Sequence, residues 1–261
     1  MERTALIGHT GFVGGTLARS GGFTDLYNSS NIEDIAGRRY DRVICAGAPG
    51  LKWLANKEPA NDRAAIAKLT RSLERASIDE LILISTIDVY PDASSGADES
   101  AVIDPSINHA YGAHRFELEQ WCSATFATCR IARLPALFGT GLRKNALFDL
   151  LNDKGTEAIN PLARFQWYPT ARLAGDLEIM RERDLTLVNL FGEAEAIGEI
   201  RDHFFPDAQL GPATQPAPAY DLRTRYSDVF GGPDGYVMDA AAVLRAMATF
   251  VNEQRQAVSH G

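Results

Sequence analysis

The sequence predicts an α/β chain built on a doubly wound parallel sheet, and three observations carry that expectation. Apolar runs of strand length alternate with stretches of helical spacing up to about residue 134. One run, Leu81-Ile-Leu-Ile84, is nearly continuous, as a central strand buried on both faces must be. The first run, Ala5-Leu6-Ile7, leads straight into glycines at 8, 11 and 14, and Phe12, Val13, Leu17 and Ala18 follow at helical spacing.

That opening reads as strand, tight glycine turn, helix. Glycines let backbone N–H groups approach a pyrophosphate closely, and a helix N-terminus favours its negative charge. The spacing is G-x-x-G-x-x-G rather than the G-x-G-x-x-G of the usual dinucleotide fingerprint. His9 reads as a loop side chain near the phosphates, not as a base.

The remaining elements follow in order. Phe23 to Tyr27 is a second strand after the Gly21-Gly22 break. Arg42 to Ala46 is a third, closed by Gly47-Ala-Pro-Gly50. A helix starts near Pro59 with Ile66, Leu69, Leu73 and Ala76 on one face. Glu80 to Ser85 is the central strand, and a polar loop runs from Pro91 to Asn108. A helix carries Tyr111, Phe116, Leu118 and Trp121, and Cys129 to Leu134 is the next strand. Beyond Phe138 the rhythm loosens: a short helix at 145–151, a strand at 165–168, a helix from Thr170 to Met180, a strand at 185–190 and a helix from Ala194 to Phe205. Gly211 to Pro218 is a loop, and Met238 to about Gln254 is a closing amphipathic helix. Residues 1–261 are expected to form one unit, with 138–182 and 206–237 contributing a small C-terminal lobe. Parallel strands joined by right-handed crossovers present a ligand at their carboxyl ends. Asn28 and Ala46 therefore join Gly8, Thr10, Gly11, Phe12, Val13 and Gly14 as expected cofactor-binding positions.

Composition excludes several classes. With 45% hydrophobic and 23% charged residues the chain is ordinary for a globular protein, and its net charge of −8 argues against nucleic acid or an acidic membrane as partner. Cys45, Cys122 and Cys129 lack ligand spacing and read as small hydrophobes in a reducing compartment. The histidines show no ligand spacing, so no metal site is expected. A first strand reached by residue 4 leaves no room for a signal peptide, and no run is long enough to span a bilayer. A cytoplasmic location is expected.

Leu81-Ile-Leu-Ile-Ser-Thr-Ile-Asp-Val-Tyr90 ends a strand in hydroxyl residues, and Tyr111-Gly-Ala-His-Arg115 follows on a helix. With the glycine turn, Arg133-Leu-Pro-Ala-Leu-Phe-Gly139 and Val188-Asn-Leu-Phe-Gly-Glu193, these segments resemble the extended short-chain dehydrogenase/reductases. That family holds nucleotide-sugar epimerases, dehydratases and reductases. The resemblance implies a Rossmann fold whose small lobe holds substrate, a nicotinamide cofactor, and a homodimer through the helices near 59–77 and 110–126. It assigns Thr86 the catalytic hydroxyl, Tyr111 the catalytic tyrosine and Arg115 the place of the motif lysine. Hydride transfer at a carbinol or carbonyl carbon needs a proton moved at oxygen, and a tyrosine does this best with its pKa lowered by a nearby cation. Residues four apart on a helix share a face, so Arg115 can supply charge to Tyr111 and bond ribose hydroxyls, but it cannot give up a proton.

Asp88 stands where dehydratases of the family carry Asp-Glu; the pair here is Ile87-Asp88, which weakens dehydration relative to reduction or epimerisation. Asp88, Arg143 and Asn145 are expected to meet substrate. No acid closes the second strand to hold ribose hydroxyls, and Arg38 and Arg39 can meet a 2′-phosphate, so NADP is slightly preferred over NAD. The function expected is an NAD(P)-dependent oxidoreductase or epimerase acting on a sugar, nucleotide-linked. The alternative is a dinucleotide-binding sensor or partner subunit whose catalysis the arginine has impaired.

Overall fold

In the computed structural model, which describes residues 2–259, the elements run β1 (Thr4–Ile7), α1 (Phe12–Ser20), β2 (Asp25–Tyr27), β3 (Arg39–Cys45), α2 (Lys52–Lys57), α3 (Pro59–Leu73), β4 (Ser77–Thr86), α4 (Ala110–Thr125), β5 (Cys129–Leu134), β6 (Ala136–Phe138), α5 (Ala146–Asn152), β7 (Arg164–Pro169), α6 (Leu173–Glu182), β8 (Leu187–Asn189), β9 (Ala194–Ala196), α7 (Ile197–Phe204) and α8 (Ala240–Ser259). They fall into two compact units. One takes the chain up to Asp92, Ser100–Arg133 and Leu173–Val188; the other takes Ala93–Glu99, Leu134–Arg172 and the chain from Asn189 on.

The first unit holds a six-stranded parallel sheet in the order β2-β1-β3-β4-β5-β8. Successive side chains on a strand point to opposite faces. Ala5 and Ile7, Val43 and Cys45, and Leu81 and Leu83 therefore share one face, where they cluster with Leu69 and Leu73 of α3 and Leu118 and Cys122 of α4. The intervening Leu6, Ile44 and Ile82 are buried on the other face, where Leu17 of α1 and Leu177 of α6 lie beside Ile44. This is the doubly wound architecture that the alternating pattern predicts. The strand order reverses at β1, which has β2 on one side and β3 on the other. A crevice at the carboxyl ends of β1 and β3 is the place such a sheet offers a ligand.

The second unit is built on a three-stranded sheet, β6-β7-β9, with β6 and β7 parallel and β7 and β9 antiparallel. Phe250 of α8 lies against Phe138 of β6, ring centroids 6.0 Å apart. The Glu99 carboxylate gathers the Asn189 N–H, the Thr224 hydroxyl and the Arg225 N–H. The Tyr220–Thr224 stretch is structural: backbone bonds from Asp221 to Ala93, from Gly96 to Asp221 and from Arg223 to Ala97 stitch 93–99 into this unit.

Several boundaries differ from the sequence expectation. β2 starts at Asp25 rather than Phe23, because Gly21 and Gly22 turn the chain at φ 77° and 85° before it can extend. Six-residue α2 and three-residue β6 are too short to show a period. Ala194 opens a strand, not a helix: Ala194–Ala196 pairs with Gln166–Arg164, and tertiary pairing overrides helix propensity until Ile197. The last helix begins at Ala240, where the Asp239 carboxylate accepts the Ala242 N–H at 2.6 Å. Among the described residues no helix is long and apolar enough to cross a membrane.

One buried ion pair fastens the end of β4. Arg133 Nη2 meets Glu119 Oε2 at 2.6 Å, with side chains 3% and 1% exposed. Ser85 Oγ donates to Glu119 Oε1 at 2.5 Å, and Arg133 Nη1 donates to the Tyr90 hydroxyl at 2.7 Å. Removing one partner of such a pair strands the other charge in low dielectric. Glu119→Ala is expected to lower the unfolding free energy by about 3–5 kcal/mol in urea denaturation. Adding Arg133→Met to that variant should recover much of the loss.

Candidate active site

The glycine turn begins where β1 ends. Gly8 sits at φ 89°, a region L side chains seldom enter, and its N–H donates to the Tyr27 carbonyl at 2.7 Å. A Cβ on Gly8 would lie 2.3 Å from the Ala46 carbonyl oxygen, and one on Gly14 would lie 2.1 Å from the Gly8 carbonyl oxygen. Both glycines are demanded by backbone packing. Gly11 is not: a Cβ there would meet only the Gly8 oxygen, at 3.3 Å. Gly11 precedes the first residue of α1, and among the described residues no side chain caps that helix end. The N–H groups of the first turn, which no side chain caps, with Thr10 and Gly11 exposed beside them, make a cradle of the kind an anionic diphosphate fits. Phe12 and Val13 open the helix, Ala46 follows β3 and Asn28 follows β2, so the turn and both strand ends adjoin the crevice at β1 and β3. The His9 ring is bonded to the Tyr27 carbonyl at 2.9 Å.

Two strands away in the sheet, β4 ends at Thr86 and the chain turns at Ile87–Val89. The Asp88 N–H donates to Thr86 Oγ1 at 3.1 Å, which leaves the threonine's own proton free to donate. That hydroxyl acts on the Tyr111 phenol in favour of its ionised form. α4 is aimed by its first turn: His109 Nδ1 accepts the Gly112 N–H at 3.0 Å, and Asn56 of α2 accepts the Tyr111 N–H at 2.9 Å. Asn108 Nδ2 donates to the Asp88 and Val89 carbonyls at 3.0 and 2.9 Å. The structure thus brings Thr86, Asp88, Tyr111 and Arg115 together.

Arg115 stacks on the Tyr111 ring, 4.5 Å from guanidinium carbon to centroid. Its guanidinium is engaged elsewhere: Nη1 and Nη2 hold Asp62 at 2.8 and 2.9 Å, and Nη2 also donates to the Pro49 carbonyl. Its Nε is buried without a partner. His114 donates to Asp62 as well, from Nδ1 at 2.7 Å, the carboxylate being able only to accept. Burial works against the Asp62 charge, but Arg115 and His114 outweigh it and hold the carboxyl below its ordinary 3.8. Tyr111 goes the other way from the sequence expectation. Burial pushes its phenol up, and the opposing effects of Arg115 and the Thr86 hydroxyl do not overcome it. Among the effects that oppose burial, the Arg115 charge stacked on the ring is the largest.

Two residues that sequence reading passed over belong to this cluster. Lys52 Nζ meets Asp88 Oδ1 at 2.7 Å. Asp62 holds Arg115 from α3. The one sequence signal for Lys52 was its place just past the end of the third strand, at the edge where ligands bind. Arg38 and Arg39 are not where NADP needs them. They stand at the amino end of β3, opposite the glycine turn, with Arg38 paired to Asp25 and Arg39 to Asp79. Arg143 and Asn145 lie in the second unit. Asn145, at φ 127°, caps α5 by accepting the Phe148 N–H and donates to the Leu137 carbonyl. No group of metal-ligating side chains occurs among the described residues.

No protein-family model matches the sequence, and no curated protein matches it. Solved structures do match, at low identity. MoeE5 in complex with UDP-glucose and NAD gives a TM-score of 0.76 at 15% identity, over 98% of this chain and 99% of that one. UDP-N-acetylglucosamine 4-epimerase from Methanobrevibacter ruminantium M1, in complex with UDP-N-acetylmuramic acid, gives 0.75 at 13%, over 100% and 99%. A dTDP-4-dehydrorhamnose reductase from Clostridium acetobutylicum gives 0.73 at 16%, over 97% and 99%. The chain therefore has the Rossmann-type fold that the motif resemblance implies.

The Asp62 cluster makes a stability prediction with a pH sign. Asp62→Asn leaves Arg115 buried without its counter-charge and should cost about 3–5 kcal/mol near neutrality. Because the folded carboxyl titrates below its unfolded value, its contribution is present above ~pH 4 and lost as pH falls through the folded pKa. Urea midpoints of wild type and variant should therefore converge in acid and stay apart at pH 7.

Proposed function

We propose that the chain is an enzyme that binds a nicotinamide dinucleotide and interconverts carbinol and carbonyl on a nucleotide-linked sugar. Tyr111 is its acid/base and Thr86 its hydroxyl contact to the substrate oxygen. One observation carries the reading: the glycine cradle and the neighbouring Thr86 and Tyr111 stand on the same carboxyl edge of one parallel sheet. Proteins of the same fold support the substrate class, since one is in complex with UDP-glucose and NAD and another with UDP-N-acetylmuramic acid.

In this reading Gly8, Thr10, Gly11, Phe12, Val13 and Gly14 hold the diphosphate, with Asn28 and Ala46 flanking it. The nicotinamide, when bound, supplies the carbon that exchanges hydride with the sugar. Tyr111 keeps its proton near neutrality because its phenol is buried, and so it is set to give that proton to the oxygen of a carbonyl being reduced. It takes the proton back in the reverse direction. Thr86, its acceptor side occupied by the Asp88 N–H, presents the hydroxyl proton that the same oxygen accepts. Asp88 is paired with Lys52 and has no second acid at position 87, which favours reduction or epimerisation over loss of water. We propose NAD rather than NADP, because none of Asn28, Ser29, Ser30 and Asn31 after β2 is a cation, and Lys68, which reaches the Ser29 carbonyl, already faces Glu33. A homodimer through α3 and α4 belongs to the same reading, and sedimentation at micromolar concentration should give twice the chain mass.

A second reading, dinucleotide binding without turnover, is favoured by the engagement of Arg115 with Asp62. The two separate cleanly on a panel of UDP- and dTDP-sugars with NAD or NADH. Tyr111→Phe is expected to lower turnover by about 10²–10⁴-fold while leaving NAD affinity unchanged. Gly14→Ala should abolish NAD binding, since its Cβ would displace the Gly8 carbonyl. Undiminished turnover in Tyr111→Phe would sink the acid/base assignment. NAD binding with no exchange on any sugar would favour the second reading.

A further inference from the structure

We infer that His109 is a substrate residue of this site: its Nε2–H donates to an uncharged oxygen of the sugar, beside the oxygen that Tyr111 serves. The inference rests on the reading of Thr86 and Tyr111 as the reacting pair, and it adds a specificity-determining residue to them.

Residue and position do not match here. His109 is the N-cap of α4, a place where Ser, Asp and Asn are preferred because a short side-chain oxygen reaches the first-turn N–H groups. Histidine is not among them. In this chain a ring nitrogen does the capping: Nδ1 accepts the Gly112 N–H at 3.0 Å. A cap by itself asks for nothing that serine would not give. Departures from a local rule concentrate at functional positions, and the other nitrogen of the ring is what serine lacks.

The cap also fixes the chemistry of the ring. An imidazole nitrogen that accepts a hydrogen bond carries no proton, so the neutral ring has its proton on Nε2. Burial of part of the ring and the charge of Lys52 hold its pKa below the ordinary 6.5, against a smaller pull from Asp88. Near neutrality His109 is therefore an uncharged donor with a single N–H. Such a group suits a hydroxyl or an amide carbonyl, whereas phosphates and carboxylates are held better by cations.

The backbone around the ring is held against the reacting pair. The His109 N–H donates to Asn108 Oδ1 at 2.8 Å, and Asn108 Nδ2 donates in turn to the Asp88 and Val89 carbonyls. Gly112, the residue that His109 caps, is packed so closely on this turn that a Cβ would lie 2.1 Å from the Asp88 carbonyl oxygen. The same turn gives the Asp88 N–H to Thr86 Oγ1. On the helix, the His109 ring centroid is 6.3 Å from that of Tyr111, with the planes tilted by 44°. His109 stays exposed while Tyr111 beside it is buried. A sugar with one oxygen at Thr86 and Tyr111 then has the substituents of its neighbouring carbons beside this ring.

Two measurements test this. Long-range proton–nitrogen NMR of the full chain near neutral pH reads the tautomer of each histidine, and the signal lost in His109→Ser identifies His109. The Nε2–H form is expected; the Nδ1–H form overturns the inference. UDP-glucose and UDP-N-acetylglucosamine are then titrated into the NAD complexes of wild type and His109→Ser, a variant that keeps an oxygen cap for Gly112 and loses the ring donor. Its urea midpoint and NAD affinity should be at least those of wild type, while sugar affinity falls about 5–10-fold. A larger fall for UDP-N-acetylglucosamine makes the acylamino carbonyl the acceptor, and equal falls make it a hydroxyl. Equal sugar affinity in wild type and variant overturns the inference and leaves Thr86 and Tyr111 as they are. So does a loss of sugar affinity matched by losses of stability and NAD affinity, because the cap and not the donor would then be responsible. Binding of neither sugar to wild type overturns the substrate reading, and this inference with it.

Discussion

The Asp62 carboxylate is where the first unit's geometry converges. It sits on α3, receives two hydrogen bonds from Arg115 and one from His114 on α4, and through Arg115 reaches the Pro49 carbonyl in the loop after β3. Taking a carboxylate out of water costs several kcal/mol unless its donors are complete, so this arrangement is held in full or not at all. Since Arg115 lies one helical turn beyond Tyr111, fixing the guanidinium fixes the face of the tyrosine ring. Arginine suits this position for a physical reason. A planar fork spans a carboxylate and a carbonyl at once, whereas an ammonium is a point with no such reach. Arg115 is then better understood as the partner of Asp62 than as a defective lysine.

The same logic explains why the site lies where it does. Residues 28–38 separate β2 from β3, with a 3-10 turn at Ile32–Ile35 whose two isoleucines are buried. β2 and β3 flank β1 directly, so the reversal of strand order comes at β1 itself. The Ala46 carbonyl crowds Gly8 to the point that no Cβ fits, so the glycine turn is forced open toward the carboxyl edge. β4 then brings Thr86 to that edge, and the Glu119–Arg133 pair anchors the residues on either side of it, Ser85 and Tyr90.

What could be read from the sequence divides along one line. The glycine turn, the central strand and the Thr86–Tyr111 pairing depend on local spacing, and spacing survives folding. The buried alternation of Leu81 to Ile84 is visible because each face of that strand must be covered. The Lys52–Asp88 contact joins residues 36 apart and the Asp62–Arg115 contact residues 53 apart, and no periodicity reports on such pairs. Arg38 and Arg39 were misleading for the complementary reason. Their charge is visible in the sequence, but the end of the strand they occupy follows from where β3 begins, and β3 begins at Arg39. Ala194–Ala196 has a helical composition and becomes a strand because β7 offers it an open edge.

These points together distinguish two functions that a single lysine combines in the motif as the sequence presents it. Position 115 must both hold the helix face and supply charge to a phenol. In this chain the first task needs a bidentate donor to Asp62, and the same guanidinium, 4.5 Å from the Tyr111 centroid, also acts on the phenol. A phenol as buried as Tyr111 keeps its proton unless some positive charge favours the phenolate, and Arg115 supplies the larger share of that charge and Lys52 of α2 a smaller one. α2 is the element that meets the start of α4, and its first residue is a lysine. Its ammonium is held on Asp88, and the two act on the phenol in opposite directions. A tyrosine under a tempered field stays protonated at rest and can still lose its proton during reaction, which is what a group that must both give and recover a proton requires.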